Sequence, residues 1–81
     1  MDKQTEVDWA AFSKALEKEF SNDLMHCNDQ YELLFIKKQL KKDLPDLTEG
    51  RIDFILDECC KLLPAPRTIT DFTACIKKFV S

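Results

Sequence analysis

The sequence predicts an all-α protein, a small compact domain of four helices. The 81 residues leave room for one hydrophobic core, and 44% of them are apolar, which favours a folded chain. The chain holds one Gly and three Pro, whereas β architectures usually need more glycine in their turns. Apolar residues recur at helical spacing along most of the chain. We therefore expect a single domain over residues 1–81 and a roughly antiparallel bundle.

The first helix is predicted over about residues 7–20. One helical stripe is formed by four large apolar side chains, Trp9, Phe12, Leu16 and Phe20. Either Thr5 or Asp8 is suited to cap the start of this helix. Residues 1–5 precede the pattern and are expected to fray.

The second helix is predicted over about residues 29–44, and Pro45 marks its end because the residue before a proline is biased away from helical geometry. Asp29 followed three residues later by Glu32 resembles a capping box. The main apolar stripe consists of Leu33, Ile36, Leu40 and Leu44, and it is widened by Tyr31, Leu34 and Phe35. That apolar face is broader than one neighbouring helix requires.

The second half of the chain predicts two more helices, over about residues 48–63 and 69–80. Thr48 is the expected N-cap of the third helix. Its apolar stripe is the most regular in the chain and runs through Ile52, Ile55, Leu56, Cys59, Leu62 and Leu63. The segment 64–66, Pro-Ala-Pro, ends it and sets a stiff corner before a short final helix.

Charge and hydropathy narrow the class of protein. The net charge is −3, so the chain has no general attraction to phosphate backbones, and nucleic acid is an unlikely partner. No apolar run approaches the roughly 18 residues that a membrane span needs, and the N-terminus lacks the apolar stretch of a signal peptide. We therefore expect a cytoplasmic protein that does not associate with a membrane.

The four cysteines and the one histidine are the only residues that suggest metal or redox chemistry. Zinc sites usually hold ligands in pairs two to four residues apart, and that spacing is absent. We expect all four cysteines to remain thiols that pack in or near the core, with no disulfide and no metal or other cofactor. The alternative is a metal or thiol-redox protein using His26, Cys27, Cys59 and Cys75, with Cys60 beside them.

A lysine-rich stretch lies on the predicted second helix, at Lys37, Lys38, Lys41 and Lys42. These lysines suit an acidic protein partner or phosphate groups, and they suit equally a solvated helix flank. Without arginine they make a poor reader of DNA bases, since bidentate base contacts come mainly from Arg, Asn and Gln. A nucleic-acid-associated accessory or regulatory protein is therefore the first alternative function.

Four aromatic residues exceed what so small a core requires: Tyr31 and Phe35 widen the stripe of the second helix, Phe54 lies off the stripe of the third, and Phe79 lies on the inward face of the last helix at the chain end. Aromatic side chains are enriched at the centres of protein interfaces, although a crossing fourth helix would also cover them. No Ser-His-Asp set, paired buried carboxylates or glycine-rich phosphate loop is recognisable, so we predict no catalytic residues. The sequence thus favours a non-enzymatic helical module that binds a protein partner or itself, as a possible homodimer.

Overall fold

The computed structural model describes residues 7–80 and confirms an all-α fold with four helices. They are α1 (Trp9–Phe20), α2 (Gln30–Asp43), α3 (Glu49–Leu62) and α4 (Ile69–Val80). Each boundary lies within two residues of the sequence prediction. The expected fraying of residues 1–5 and the candidate cap Thr5 fall outside the described residues.

Side chains cap the N-termini of the first and third helices at the residues that the sequence predicts. The Asp8 carboxylate accepts a hydrogen bond from the Ala11 N–H at 3.1 Å, and the Thr48 hydroxyl accepts one from the Arg51 N–H at the same distance. Each bond satisfies a backbone donor that the first helical turn leaves unpaired. At the other end of α1, Ser21 adopts a left-handed conformation with a φ of 61°, which turns the chain out of the helix.

The start of α2 departs from the predicted capping box. Asp29 caps the helix as expected, because its carboxylate accepts hydrogen bonds from the N–H groups of Tyr31 and Glu32. The Asp29 N–H, however, donates to the carbonyl of His26 and is not available to Glu32. Glu32 instead accepts a hydrogen bond from the backbone N–H of His26 at 2.8 Å. The reciprocal half of the capping box is therefore replaced by a contact to the preceding loop.

Two short strands that are not apparent from the sequence join the connections between helices. Strand β1 (Leu24–Met25) pairs with β2 (Arg67–Thr68) in an antiparallel ladder of two residues each. The Ile69 N–H also donates to the carbonyl of Asp23 at 2.6 Å. The peptide bond between Ala65 and Pro66, just before β2, is cis. These pairings hold the α1–α2 link against the start of α4.

The helices surround one hydrophobic core. Helix α1 packs against α2 and α4, and α3 packs against the same two helices, so that each helix has two neighbours. Fully buried side chains come from every helix and from β1, and they include Leu16, Met25, Ile36, Ile55 and Ile76. The stripes predicted from spacing therefore meet in the interior, with one exception. Leu62, predicted as part of the α3 stripe, is 60% exposed, because it is the last residue of the helix and lies beyond the core. None of the helices within residues 7–80 combines the length and apolar character needed to cross a membrane.

Candidate interaction surface

Helices α2 and α3 lie side by side and run antiparallel. Cys27, three residues before α2, is joined to Cys60 near the end of α3, while Lys37 in the middle of α2 pairs with Asp53 in the first half of α3. Residue numbers in these contacts increase along α2 and decrease along α3, as they do between antiparallel helices. A short loop over residues 44–48 connects the two helices. One long face of the pair, which carries Tyr31 and Leu34, faces solvent.

A groove runs along this exposed face. Its larger part has a volume of about 700 Å³ and a smaller adjoining depression measures about 290 Å³. The larger part is lined by residues of α2 and α3 and by the cysteine before α2: Cys27, Gln30, Tyr31, Leu33, Leu34, Lys37, Asp53, Leu56, Asp57 and Cys60. Leu34 and Lys37 also line the smaller depression, together with Lys38, Lys41, Glu49 and Ile52. We call the two parts together the α2–α3 groove.

Two large side chains of α2 rise from the groove into solvent. Leu34 is 52% exposed and Tyr31 is 59% exposed, whereas Ile36 and Leu40 on the opposite side of the same helix are fully buried. The Tyr31 hydroxyl donates a hydrogen bond to the Glu19 carboxylate of α1, and this bond raises the pKa of Tyr31. The tyrosine ring is thus held in place beside the exposed leucine.

The lysines of α2 fall into two groups. Lys37 forms an ion pair with Asp53 at 2.7 Å across the groove, and Lys41 donates from Nζ to the backbone carbonyls of Pro45 and Leu47. Lys38 and Lys42 are exposed and make no ion pair or hydrogen bond with residues 7–80. Two of the four candidate lysines therefore stabilise the fold, and two remain available to a partner.

The two walls of the groove carry opposite charge. Helix α2 has four lysines against two acids, a net charge of +2, and α3 has four acids against Arg51 and Lys61, a net charge of −2. On α3, Asp57 lies 3.3 Å from Lys61, and this pairing raises the pKa of the lysine. Glu49 is exposed and has no ion-pair partner within the described part of the chain. A ligand in the groove would meet a basic edge and an acidic edge.

The four aromatic candidates do not share one surface. Phe35 packs edge-to-face on Phe20 of α1 with ring centroids 5.8 Å apart, and Phe79 packs in the same way on Phe54 at 6.3 Å. Phe54 remains 47% exposed, on the side of α3 that faces α4. Only Tyr31 borders the α2–α3 groove.

Sequence reasoning did not single out Leu34 as an exposed residue. It was placed as a flanking residue of a wide apolar stripe, although it is the one aliphatic side chain common to both parts of the groove. The spacing of the sequence does carry a signal for this exposure, since Leu34 lies on the side of the helix opposite Ile36 and Leu40.

The prediction that all four cysteines remain thiols was wrong. Cys27 and Cys60 form a disulfide with Cα atoms 6.1 Å apart, which lies at the end of the groove. The bond forms because the turn around His26 to Asp29 brings the chain back to the last turns of α3. A sequence separation of 33 residues does not reveal such a contact before the tertiary structure is known.

The other two cysteines match the expected packing role. Cys59 and Cys75 are buried thiols on α3 and α4. Burial raises the pKa of Cys59 well above its ordinary value, and a hydrogen bond with Cys75 adds to the shift. A thiol that stays protonated is a poor nucleophile.

The candidate metal set is not assembled within residues 7–80, where no group of three or more His, Cys, Asp or Glu residues is placed to hold a metal ion. His26 instead lies with its Nδ1 3.4 Å from the carboxylate of Glu32, and Cys27 is bonded to Cys60. Cys59 and Cys75 belong to the core cluster.

Comparison with protein-family models, with curated proteins and with solved structures finds no match to this chain.

Proposed function

We propose that this protein is a non-enzymatic helical interaction module and that a protein partner binds in the α2–α3 groove. The observation that carries the proposal is the exposed Leu34 at the junction of the two groove parts. Isolated exposed leucines are ordinary, but one that stands beside an exposed tyrosine in a groove with charged rims matches the anatomy of a protein-binding site.

The groove has the shape that an amphipathic helical surface fits. Each wall is a helix of 14 residues, which corresponds to a length of about 21 Å at 1.5 Å per residue. Leu33 and Leu56 supply an apolar floor, and the charged residues stand at the edges. Apolar side chains in the floor favour affinity, while the charges at the rim favour orientation and specificity.

The lysine-rich alternative, a nucleic-acid-associated protein, has less support. Lys37 is neutralised by Asp53, and Lys41 is engaged with two carbonyls of the following loop. Lys38 and Lys42 remain, beside the acidic wall formed by α3. A phosphate backbone approaching these two lysines would also approach Glu49, Asp53 and Asp57, which would oppose binding.

A cytoplasmic location remains a prediction, and it bears on the disulfide at the end of the groove. In a reducing cytosol the Cys27–Cys60 bond is expected to be open for much of the time, whereas in an oxidising compartment it is expected to persist. Trapping free thiols in intact cells with a maleimide reagent distinguishes these two states. Labelling of Cys27 and Cys60 in growing cells is the result that the cytoplasmic prediction requires.

The proposal is tested by photo-crosslinking in the native host. A photoreactive amino acid replaces Gln30, which lines the groove and is exposed, and in a control it replaces Leu62, which is 60% exposed outside the groove. The expected result is a protein adduct, identified by mass spectrometry, that forms from position 30 and disappears when Leu34→Glu is added. Adducts that are identical from both positions, or that survive Leu34→Glu, would place the binding surface elsewhere.

A further inference from the structure

We infer that the occupant of the α2–α3 groove is a second copy of this chain, bound so that α2 of one copy lies over α3 of the other. This inference rests on the proposed function, since it names the partner for the same groove. The second copy is related to the first by a two-fold axis that runs along the groove, parallel to the helices.

The charge of the two walls favours a second copy over a partner of one dominant charge. A uniformly acidic partner would be attracted by α2 and repelled by α3, and a uniformly basic partner would meet the reverse. A second copy carries a basic helix and an acidic helix side by side at the same spacing. It therefore places an oppositely charged helix against each wall of the groove, as the isologous interface of a two-fold dimer requires.

Charge also selects one of the two possible two-fold axes. A two-fold axis across the groove would place α2 over α2 of the second copy and α3 over α3, so that like charges meet. An axis along the groove exchanges the two sides and places α2, with its net charge of +2, over α3, with its net charge of −2. Only the dimer about the axis along the groove brings opposite charges together at both of its helix–helix contacts.

The register of the dimer follows from contacts within one chain. A rotation about an axis along the groove does not shift the second copy lengthwise, so residues at one level in the monomer remain level in the dimer. Lys37 is level with Asp53, as their ion pair shows. At 1.5 Å per residue, Lys38 lies about 4.5 Å along the helix axis from the level of Glu49 on antiparallel α3, which a lysine side chain can span. Lys38, which lines the groove together with Glu49 and is unpaired among residues 7–80, is therefore placed to pair with Glu49 of the second copy.

Leu34 is placed at the centre of this arrangement. It lines both parts of the groove, so it lies near the middle of the groove's length, and the axis places it at the same level in both copies. Two exposed leucines, one from each copy, then meet each other and are removed from water. Tyr31, one turn away on the same helix, packs around this contact and extends the apolar centre.

The size of the face predicts a weak dimer. Two helices about 21 Å long and about 9 Å apart offer on the order of 400 Å² per copy, which is half of a standard interface side. Small interfaces of this kind support transient association. We expect a monomer–dimer equilibrium with a Kd of roughly 10–100 µM.

The first experiment is sedimentation equilibrium of the full chain, from about 5 µM to about 500 µM, a range that spans the expected Kd. Wild-type protein is expected to shift from monomer to dimer across this range. Leu34→Glu should remain monomeric with unchanged helicity by circular dichroism, and the matched control Leu62→Glu should dimerise like the wild type. A wild-type monomer at every concentration, or equal weakening by both variants, would overturn the dimer.

The second experiment tests the arrangement by charge reversal. Lys38→Glu and Glu49→Lys should each weaken association by roughly threefold to thirtyfold, because each changes two exposed ion pairs into repulsive pairs. An equimolar mixture of the two variants should recover dimerisation, because each contact in the mixed dimer again joins one lysine to one glutamate. Stronger association of Lys38→Glu would instead show α2 packed on α2, and a mixture without recovery would refute the pairing.

Failure of the dimer is distinguishable from failure of the proposed function. If wild-type protein is monomeric and crosslinking from position 30 captures a different protein in a manner that depends on Leu34, the groove is a binding site and its occupant is not a second copy. If neither a dimer nor such an adduct forms, both proposals are wrong.

Discussion

Cys27 and Cys60 are bonded to each other across the end of the α2–α3 groove, so the loop before α2 is fixed to the last turns of α3. The bond closes a segment of 33 residues that contains all of α2 and most of α3. Within this closed segment, the Lys37–Asp53 ion pair is the only ion pair between α2 and α3 among the described residues. The disulfide is therefore the principal covalent restraint on the groove walls.

Removing this disulfide is expected to destabilise the fold without abolishing it. A loop of 33 residues predicts a loss of about 2–4 kcal/mol in the free energy of unfolding, because the reduced unfolded chain regains conformational freedom. Urea unfolding of the wild type with and without reductant measures the loss. The Cys27→Ser/Cys60→Ser variant is the control, and its unfolding curve should not respond to reductant. A wild-type curve that is unchanged by reductant would show that the bond is absent.

Glu32 is expected to stabilise the entry into α2 through the backbone of His26 more than through its ring. The Glu32 side chain is 10% exposed and its carboxylate accepts a hydrogen bond from the His26 N–H at 2.8 Å, whereas the ring nitrogen is 3.4 Å away and the histidine side chain is 53% exposed. Glu32→Ala should lower the free energy of unfolding by about 1–3 kcal/mol, because it leaves the N–H unpaired. His26→Ala retains that N–H and should cost about 0.5 kcal/mol or less. Equal losses in urea unfolding would assign the stabilisation to the ring.

Periodicity and capping chemistry predicted the helices because both act locally. The apolar stripes through Leu16 and Ile55 and the caps at Asp8 and Thr48 need only residues a few positions apart. The structure buries Leu16 and Ile55 and confirms both caps, whereas Leu62 at the end of the α3 stripe is exposed. A pair such as β1 and β2, two residues each and more than 40 residues apart in the chain, carries no periodic signal. Its existence depends on the packing of α4 beside α1.

The site was less accessible to sequence reasoning than the fold. Lys37 and Lys41 looked equivalent to Lys38 and Lys42, since all four stand on one helix at similar spacing. What separates them is a carboxylate on α3 and two carbonyls in the loop after α2, and both are tertiary contacts. The aromatic candidates were also divided by tertiary packing, which paired Phe35 with Phe20 of another helix.

Thr73 on α4 is a position where a less polar residue should stabilise the protein. The residue is 5% exposed, and its hydroxyl oxygen has no hydrogen-bond partner among residues 7–80. Thr73→Val keeps the shape and removes the cost of burying an unpaired hydroxyl, so the free energy of unfolding should rise by about 1 kcal/mol. The control is Thr70→Val on the exposed side of the same helix, where little change is expected. Destabilisation by Thr73→Val in thermal unfolding would mean that the hydroxyl is hydrogen-bonded in solution.

The buried thiol of Cys59 predicts a loss of stability at alkaline pH. Burial raises the pKa of this thiol in the folded protein, while the unfolded thiol ionises near pH 8.5. Above that pH the unfolded chain releases a proton that the folded chain retains, so unfolding is increasingly favoured. Below it both states hold the proton, and this group contributes no pH dependence. The expected slope approaches about 1.4 kcal/mol per pH unit between the unfolded and folded pKa values.

This slope is measured by urea unfolding between about pH 7.5 and 10, a window that spans the unfolded thiol pKa. The Cys27→Ser/Cys60→Ser background is used because it has no disulfide that alkaline thiols can exchange with. Adding Cys59→Ala to that background lowers stability at every pH through the cavity it leaves, but it should flatten the alkaline decline. Comparing slopes separates the two effects, since a cavity does not titrate. An equally steep decline in both variants would assign the alkaline instability to groups other than Cys59.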